Sequence, residues 1–381
     1  MSDAETASLS EDGHEAYISA AADPEHALPQ SPHPILALPS EIMSEIFIHY
    51  LPPYPHCPPL LGDASPTKLT QICGRWREIA HHTPALWRAV ELFMVLRDAA
   101  SLDLQLETAR TWLERSCGLP LCVILGNAMS RTDVERYARN ALRLLLDHHT
   151  RWEYAALHVS VATWIPGQAA ERDMPLLRQF DLKYMDTSFE NDVEGTLNAP
   201  LLSTAFLDCD FARTEKVPLL LAWNQITRLR LRHSNLGVTV AILRDAANLV
   251  ECSISLTTIG DLNLAPGDVL KFERLETLSI TAGFSNCEKV DRLLSAFCAP
   301  NLRRFHVDCD MLDYRRGDNA ASFPAILAAM GCRLEYLSLA NTKQSVEEFR
   351  EVLPDIKFIH YRPRLSDEWG IWDLRTFYSS G

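Results

Sequence analysis

Side chains able to do chemistry are plentiful in this chain, but their spacing seldom converges. Ten cysteines run from Cys57 to Cys332 without one Cys-x-x-Cys pair, so neither a zinc knuckle nor a dithiol redox motif is spelled out. Histidines come as adjacent pairs, His81-His82 and His148-His149. Neighbours in sequence point to different sides of a helix, so neither pair makes the i, i+4 grip a metal needs. Capping the last carbonyls of helices is the expected role. No Walker loop, GxGxxG, GxSxG or HExxH is present, and no carboxylate pair stands out by spacing. Cys73 reads as a small core residue, and Cys209 and Cys309 as turn-lining positions. The expectation is a protein that is not an enzyme and carries no cofactor or metal. One constellation stands out. In Arg228-Leu229-Arg230-Leu231-Arg232, strand alternation sets three guanidinium forks on one face, the geometry that suits carboxylate or phosphate.

The elements that hold these residues are legible from composition and period. The chain has 381 residues, 47% hydrophobic and 23% charged, as in an ordinary globular protein. Residues 1–67 carry a net charge of −10 and no Lys or Arg, while all that follows carries −4. That balance argues against nucleic-acid binding, which needs a basic surface. No apolar run approaches the roughly 20 residues of a membrane span. The acidic start lacks the apolar region of a signal peptide, which points to reduced thiols in a cytoplasmic or nuclear protein.

Residues 1–34 are rich in Ala, Ser, Pro and acids, and read as a disordered acidic tail. Ser40 is placed to cap a helix carrying Ile42, Ile46, Phe47 and Tyr50 on one face. Residues 52–66 hold six of the 22 prolines and form an irregular loop. Thr67 is placed to cap a second helix with Leu69, Ile72, Cys73, Trp76 and Ile79 along its stripe. Helices follow at about 99–116 and 132–148, with a short buried strand at 119–125 between them.

The remainder repeats itself. A phrase large-x-x-large-x-large recurs from Leu177, Leu202, Ile226, Leu249, Leu275, Leu302, Leu334 and Ile356, at steps of 25, 24, 23, 26, 27, 32 and 22 residues. A degenerate copy begins at Trp152. This period is the signature of a leucine-rich-repeat solenoid: one short strand and one return helix per unit, stacked so that neighbours share a core. Strand alternation turns Arg228, Arg230 and Arg232 outward on the concave face, with Arg304 and His306 further along. Two readings of the arginines stay open. They form a ladder with Asp208 and Glu251 in neighbouring strands, or they dock an anionic target.

Residues 36–91 resemble an F-box. The blocks are Leu38-Pro39-Ser40-Glu41-Ile42, then Ile72-Cys73-Gly74-Arg75-Trp76, then Pro84-Ala85-Leu86-Trp87. The Pro-rich loop 52–66 departs from the family by about ten extra residues. The wider layout looks like a fungal F-box family with degenerate leucine-rich repeats. Its domains would be a tail over 1–34, the box over 35–95, a helical linker with a short strand over 96–150, and the solenoid over 151–381. The fold class is then α/β, an all-helical box followed by parallel strands with return helices. The resemblance implies the substrate-recognition subunit of a cullin-type ubiquitin ligase. Its box would bind a Skp-type adaptor, and through it a cullin, by Leu38, Pro39, Ile42, Ile46, Leu69, Ile72, Cys73 and Trp76. Its repeats would take a target protein, with Arg228, Arg230, Arg232, Arg304 and His306 as contacts. The alternative is a scaffold that uses the same two surfaces outside any ligase. A box of this size leaves more apolar surface than it can cover alone, which a helix-in-groove partner would complete.

Overall fold

The structure is a computed structural model that describes residues 34–94, 99–127, 132–160, 172–184, 196–208, 221–258, 264, 265, 267–282, 287–309, 312, 320–342 and 344–362. The expected tail, apart from Pro34, and Cys209 lie outside the described residues.

Each repeated phrase ends in a strand. In chain order the strands are β1 (Ala89–Met94), β2 (Leu121–Asn127), β3 (Trp152–Val159), β4 (Gln179–Tyr184), β5 (Thr204–Asp208), β6 (Arg228–Asn235) and β7 (Glu251–Thr258). They continue as β8 (Leu270–Lys271), β9 (Thr277–Ala282), β10 (Phe297–Cys298), β11 (Arg304–Asp308), β12 (Tyr336–Ala340) and β13 (Phe358–Arg362). The short β8 and β10 pair with each other; the other eleven form one parallel sheet in strict chain order. Register joins phrase to phrase. Phe180 pairs with Ala205, then Leu229, Cys252, Leu278, Phe305, Leu337 and Ile359. All eight are buried, and a slip of one residue would turn them out of the core, which is why the register is specified.

Among the described residues the α-helices are α1 (Ser40–Tyr50), α2 (Leu69–Ile72), α3 (Gly74–His81), α4 (Ala99–Arg115), α5 (Thr132–Leu146), α6 (Leu236–Asp245), α7 (Cys287–Ser295), α8 (Phe323–Met330) and α9 (Val346–Val352). α4 packs on β1, α5 on β1 and β2, α6 on β6 and β7, and α9 on β13. Their starts are held by side chains. Asn235 Oδ1 accepts from the Val238 N–H at 2.8 Å, and Ser345 and Glu348 form a reciprocal capping box. Gly331 (φ +67°) closes α8 in a left-handed turn that a side chain would strain. Between strands, amides tie each turn to the preceding one. Gln225 Nε2 donates to the Ala199 carbonyl, Asn248 Nδ2 to that of Asn224 and Asn301 Nδ2 to that of Glu273, each at 2.7 Å.

Two strands extend the sheet upstream of the repeats. β1 falls in the segment expected to end the box, and β2 in the expected helical linker; both are full members of the sheet. The hydrophobic core is likewise one cluster from Met43 to Ile359. The helical front is therefore fused to the sheet, and the boundary expected at residue 150 has no counterpart in the pairing.

The front end also differs in detail. α1 begins without side-chain capping from Ser40, whose hydroxyl donates to Glu41 instead. The single helix expected after Thr67 is broken at Cys73, which is extended (φ −156°, ψ 170°). Ser65, not Thr67, caps the entry to α2. Cys73 is only half-buried, and its Sγ accepts from the Trp76 N–H at 3.5 Å, so it caps α3 rather than filling core. One histidine of each pair acts as expected: ring nitrogens of His82 and His149 lie 2.8 Å from the carbonyls of Glu78 and Leu146.

Candidate functional site

On α1 the apolar side chains divide between two stripes. Met43 and Phe47 are buried, and Phe47 meets Trp76 with ring centroids 4.9 Å apart. Ile42, Ile46 and Tyr50, at i, i+4 and i+8, form the other stripe and stand 49%, 41% and 45% exposed. Ile72, at the end of α2, is 53% exposed. The expectation that Phe47 shares a face with Ile42, Ile46 and Tyr50 is corrected by this division. Among the other anticipated contact residues, Pro39 is exposed and Leu38, Cys73 and Trp76 are half-buried. The Leu38 carbonyl accepts from Arg75 Nη2 at 2.6 Å. Leu69 is buried in the core and belongs to no exposed face. Clusters of exposed aliphatic side chains are uncommon on a solvated surface and mark contact sites.

The Pro-rich loop lies against the sheet and does not hang free. Tyr54 donates its phenol proton to Glu153 Oε2 at 3.0 Å, and its ring lies 3.6 Å beneath the Arg88 guanidinium and edge-on to Tyr154 at 5.8 Å. Burial, then the charges nearby, push that phenol far above its ordinary pKa. Cys57 Sγ lies 3.8 Å from Cys122 Sγ in β2, a contact that, with burial, raises the Cys57 thiol. Further along, Tyr50 donates to the Asp63 carbonyl. The loop thus straps α1 to β2 and β3.

The polar face of the sheet has a different character at each end. Along β4, β5 and β6 the residues Asp181, Phe206 and Arg230 stand in register. Arg230 lies 5.1 Å over the Phe206 ring, and Asp181 is buried with Gln179 Nε2 donating to both its oxygens at 3.3 Å. Burial raises the Asp181 carboxyl well above the usual range, although Gln179 and Arg230 pull the other way. One strand position on, Asp208 is met by Lys183 at 3.5 Å and by the His233 ring. Burial would raise its pKa, but His233, Lys183 and Arg232 outweigh that and hold it low. His158 is depressed to about 3 by burial and by Lys183.

The three arginines therefore have distinct surroundings. Arg228 reaches Glu251 at 3.7 Å, as the ladder reading expects. Arg230 faces Asp181 across Phe206, which neither reading anticipated, and Arg232 lies within the field of Asp208. Arg304 and His306 stand on β11, beyond β7 and β9 in the sheet, and do not join this group. His306 belongs to an aromatic run toward the end of the sheet. His306 and Tyr336 are 5.5 Å apart, Tyr336 and His360 stack at 5.1 Å and 23°, and Phe358 and His360 at 6.4 Å and 19°. The alternating His and aromatic positions on β11–β13 could have signalled this run.

Among the described residues no group of three or more His, Cys, Asp or Glu could hold a metal, and no helix is long and apolar enough to cross a membrane. A scan of protein-family models finds no match, and no curated protein matches the chain.

Proposed function

We propose that this chain is the target-recognition subunit of a cullin-type ubiquitin ligase, with an F-box at its front and leucine-rich repeats behind. The observation that carries the reading is the exposed stripe Ile42–Ile46–Tyr50 with Ile72, set beside a stripe that is fully in the core. An amphipathic helix needs one apolar face; a second, left in solvent, is what a partner's groove would cover. Its resemblance to the motif blocks quoted above supports a Skp-type adaptor as that partner. The strap through Tyr54 and Cys57 favours the same reading, because a receptor must hold its target at a fixed distance from the adaptor. The repeats supply the target side, with the arginines of β6 and the aromatic run of β11–β13 as its contacts. Ubiquitin transfer itself would fall to other subunits.

Ile46→Asp tests this. Ile46 is on the surface, so the variant keeps its fold and melting temperature, whereas a carboxylate buried in an apolar contact costs several kcal/mol. Adaptor affinity should fall by about 100-fold or more. A folded variant that binds adaptor as well as the wild type overturns the assignment.

A further inference from the structure

Two thiols meet where the Pro-rich loop crosses the sheet. Cys57 Sγ lies 3.8 Å from Cys122 Sγ, although 65 positions separate the two residues in the chain. Cys122 stands on β2, in register with Ala89 of β1 and Tyr154 of β3, and is buried. Strand pairing on both sides fixes its position. Cys57 sits in irregular backbone and keeps some exposure. The loop is held there by contacts on either side of that cysteine. Tyr54 is pinned by Glu153, Arg88 and Tyr154, and Ser65 Oγ donates to the Leu60 carbonyl at 2.8 Å.

Sulfurs in contact across so long a stretch of chain are what a disulfide needs. The bond is about 2 Å long, so the two sulfurs would approach by roughly another 2 Å. A side-chain rotation with a small shift of the loop covers that distance, and β2 need not move. Burial and the contact with Cys122 keep the Cys57 thiol protonated in the resting protein. The pair therefore rests as a dithiol and reacts slowly, because the thiolate is the attacking form. Once one sulfur has been oxidised, however, its partner is already beside it.

We propose that Cys57 and Cys122 form a site of oxidation by hydroperoxides, closing to a disulfide that staples the Pro-rich loop to β2. Cys57, the more accessible sulfur, attacks one peroxide oxygen. The O–O bond breaks, Cys57 becomes a sulfenic acid, and the rest of the peroxide leaves as an alcohol, or as water from hydrogen peroxide. Cys122 then attacks the Cys57 sulfur, the S–O bond breaks, and water departs with the Cys122 proton. In sum, two thiols give up two electrons to one O–O bond. The second step is intramolecular, which favours closure over further oxidation of Cys57. A thiol reductant reverses the bond by exchange. The ring so closed contains α2, α3, β1 and α4, and it makes covalent the strap from α1 to the sheet, whatever partner the exposed stripe takes.

The test exposes the dilute full chain to hydrogen peroxide, blocks the remaining thiols and maps the peptides by mass spectrometry, with fragmentation that separates Cys122 from Cys117. A Cys57–Cys122 peptide, lighter by two hydrogens, should appear and should vanish on treatment with dithiothreitol. The exposed Cys117 reports that the oxidant has acted. Free Cys57 and Cys122 in protein whose Cys117 is already oxidised overturn the proposal, as does a link from Cys57 to any other cysteine. A second measurement reads the staple itself. The ring restricts the unfolded chain, so the oxidised protein should melt at least about 3 °C above the reduced one, and Cys57→Ser should show no such rise. An equal or lower midpoint for the cross-linked protein, or the same rise in Cys57→Ser, overturns it as well.

Discussion

Replacing Asp181 by Asn should make the protein more stable at neutral pH, and the gain should grow with pH. Asp181 is buried on the polar face beside Phe206, with the Gln179 amide on its oxygens. Burial lifts its pKa well above the ordinary value, so the folded protein holds a proton there that the unfolded chain, titrating near about 3.9, has already released. Where the folded state binds more protons than the unfolded one, stability falls as pH rises. The fall amounts to about 1.4 kcal/mol for each pH unit between the unfolded and folded pKa values. Above the folded pKa the loss is complete and levels off. Asparagine has nearly the same shape and cannot ionise, so the Asp181→Asn variant lacks this slope. Below about pH 4 both side chains are neutral, and the two proteins should agree to within about 1 kcal/mol. Urea unfolding of wild type and Asp181→Asn at half-unit steps from pH 4 to 8 measures the difference, in which every other titrating group cancels. A difference that stays flat across the range, or a variant weaker than wild type at pH 7, would refute the argument that desolvation dominates at this site.

Other expectations follow from the same contacts. Tyr54→Phe removes the hydrogen bond to Glu153 but leaves the ring under Arg88, so it should cost about 1–2 kcal/mol in chemical unfolding, and Tyr54→Ala clearly more; equal losses would mean the ring contacts contribute nothing. Ser345→Ala removes the hydroxyl half of the capping box on α9, leaving the Glu348 carboxylate on the backbone N–H of residue 345, and should lower stability by about 1 kcal/mol, with Ser345→Thr restoring most of it in the same assay. Gly126→Ala sets a Cβ 2.5 Å from the Phe93 ring, but that ring is exposed and free to swing away, so the change in thermal midpoint should correspond to less than about 1 kcal/mol. A larger loss would show that Phe93 is held in place.

The period of the apolar residues fixed where most strands lie. Eight phrases at steps of 22 to 32 residues became eight adjacent strands in register, because a pleated strand buried on one face leaves a two-residue pattern and its register sets the next unit. β1 was missed although Val90 and Leu92 alternate with Glu91 and Phe93; a six-residue strand directly after Trp87 looks like the end of the helical block. The exposed blocks on α1 and α2 were legible as motifs, but not their orientation. Sequence spacing put Ile42, Ile46, Phe47 and Tyr50 on one side, and only packing against Trp76 decided that Phe47 and Met43 face in while the other three face out. In the same way the sequence placed three arginines on one face of β6, yet their partners came from other strands. Arg228 met Glu251, while Arg230 met Phe206 and Asp181, residues 24 and 49 positions earlier in the chain. Alternation along a strand is a local property and survives in the sequence. Which charge faces which across neighbouring strands, and how much water reaches it, depends on register and burial, and those exist only once the chain has folded.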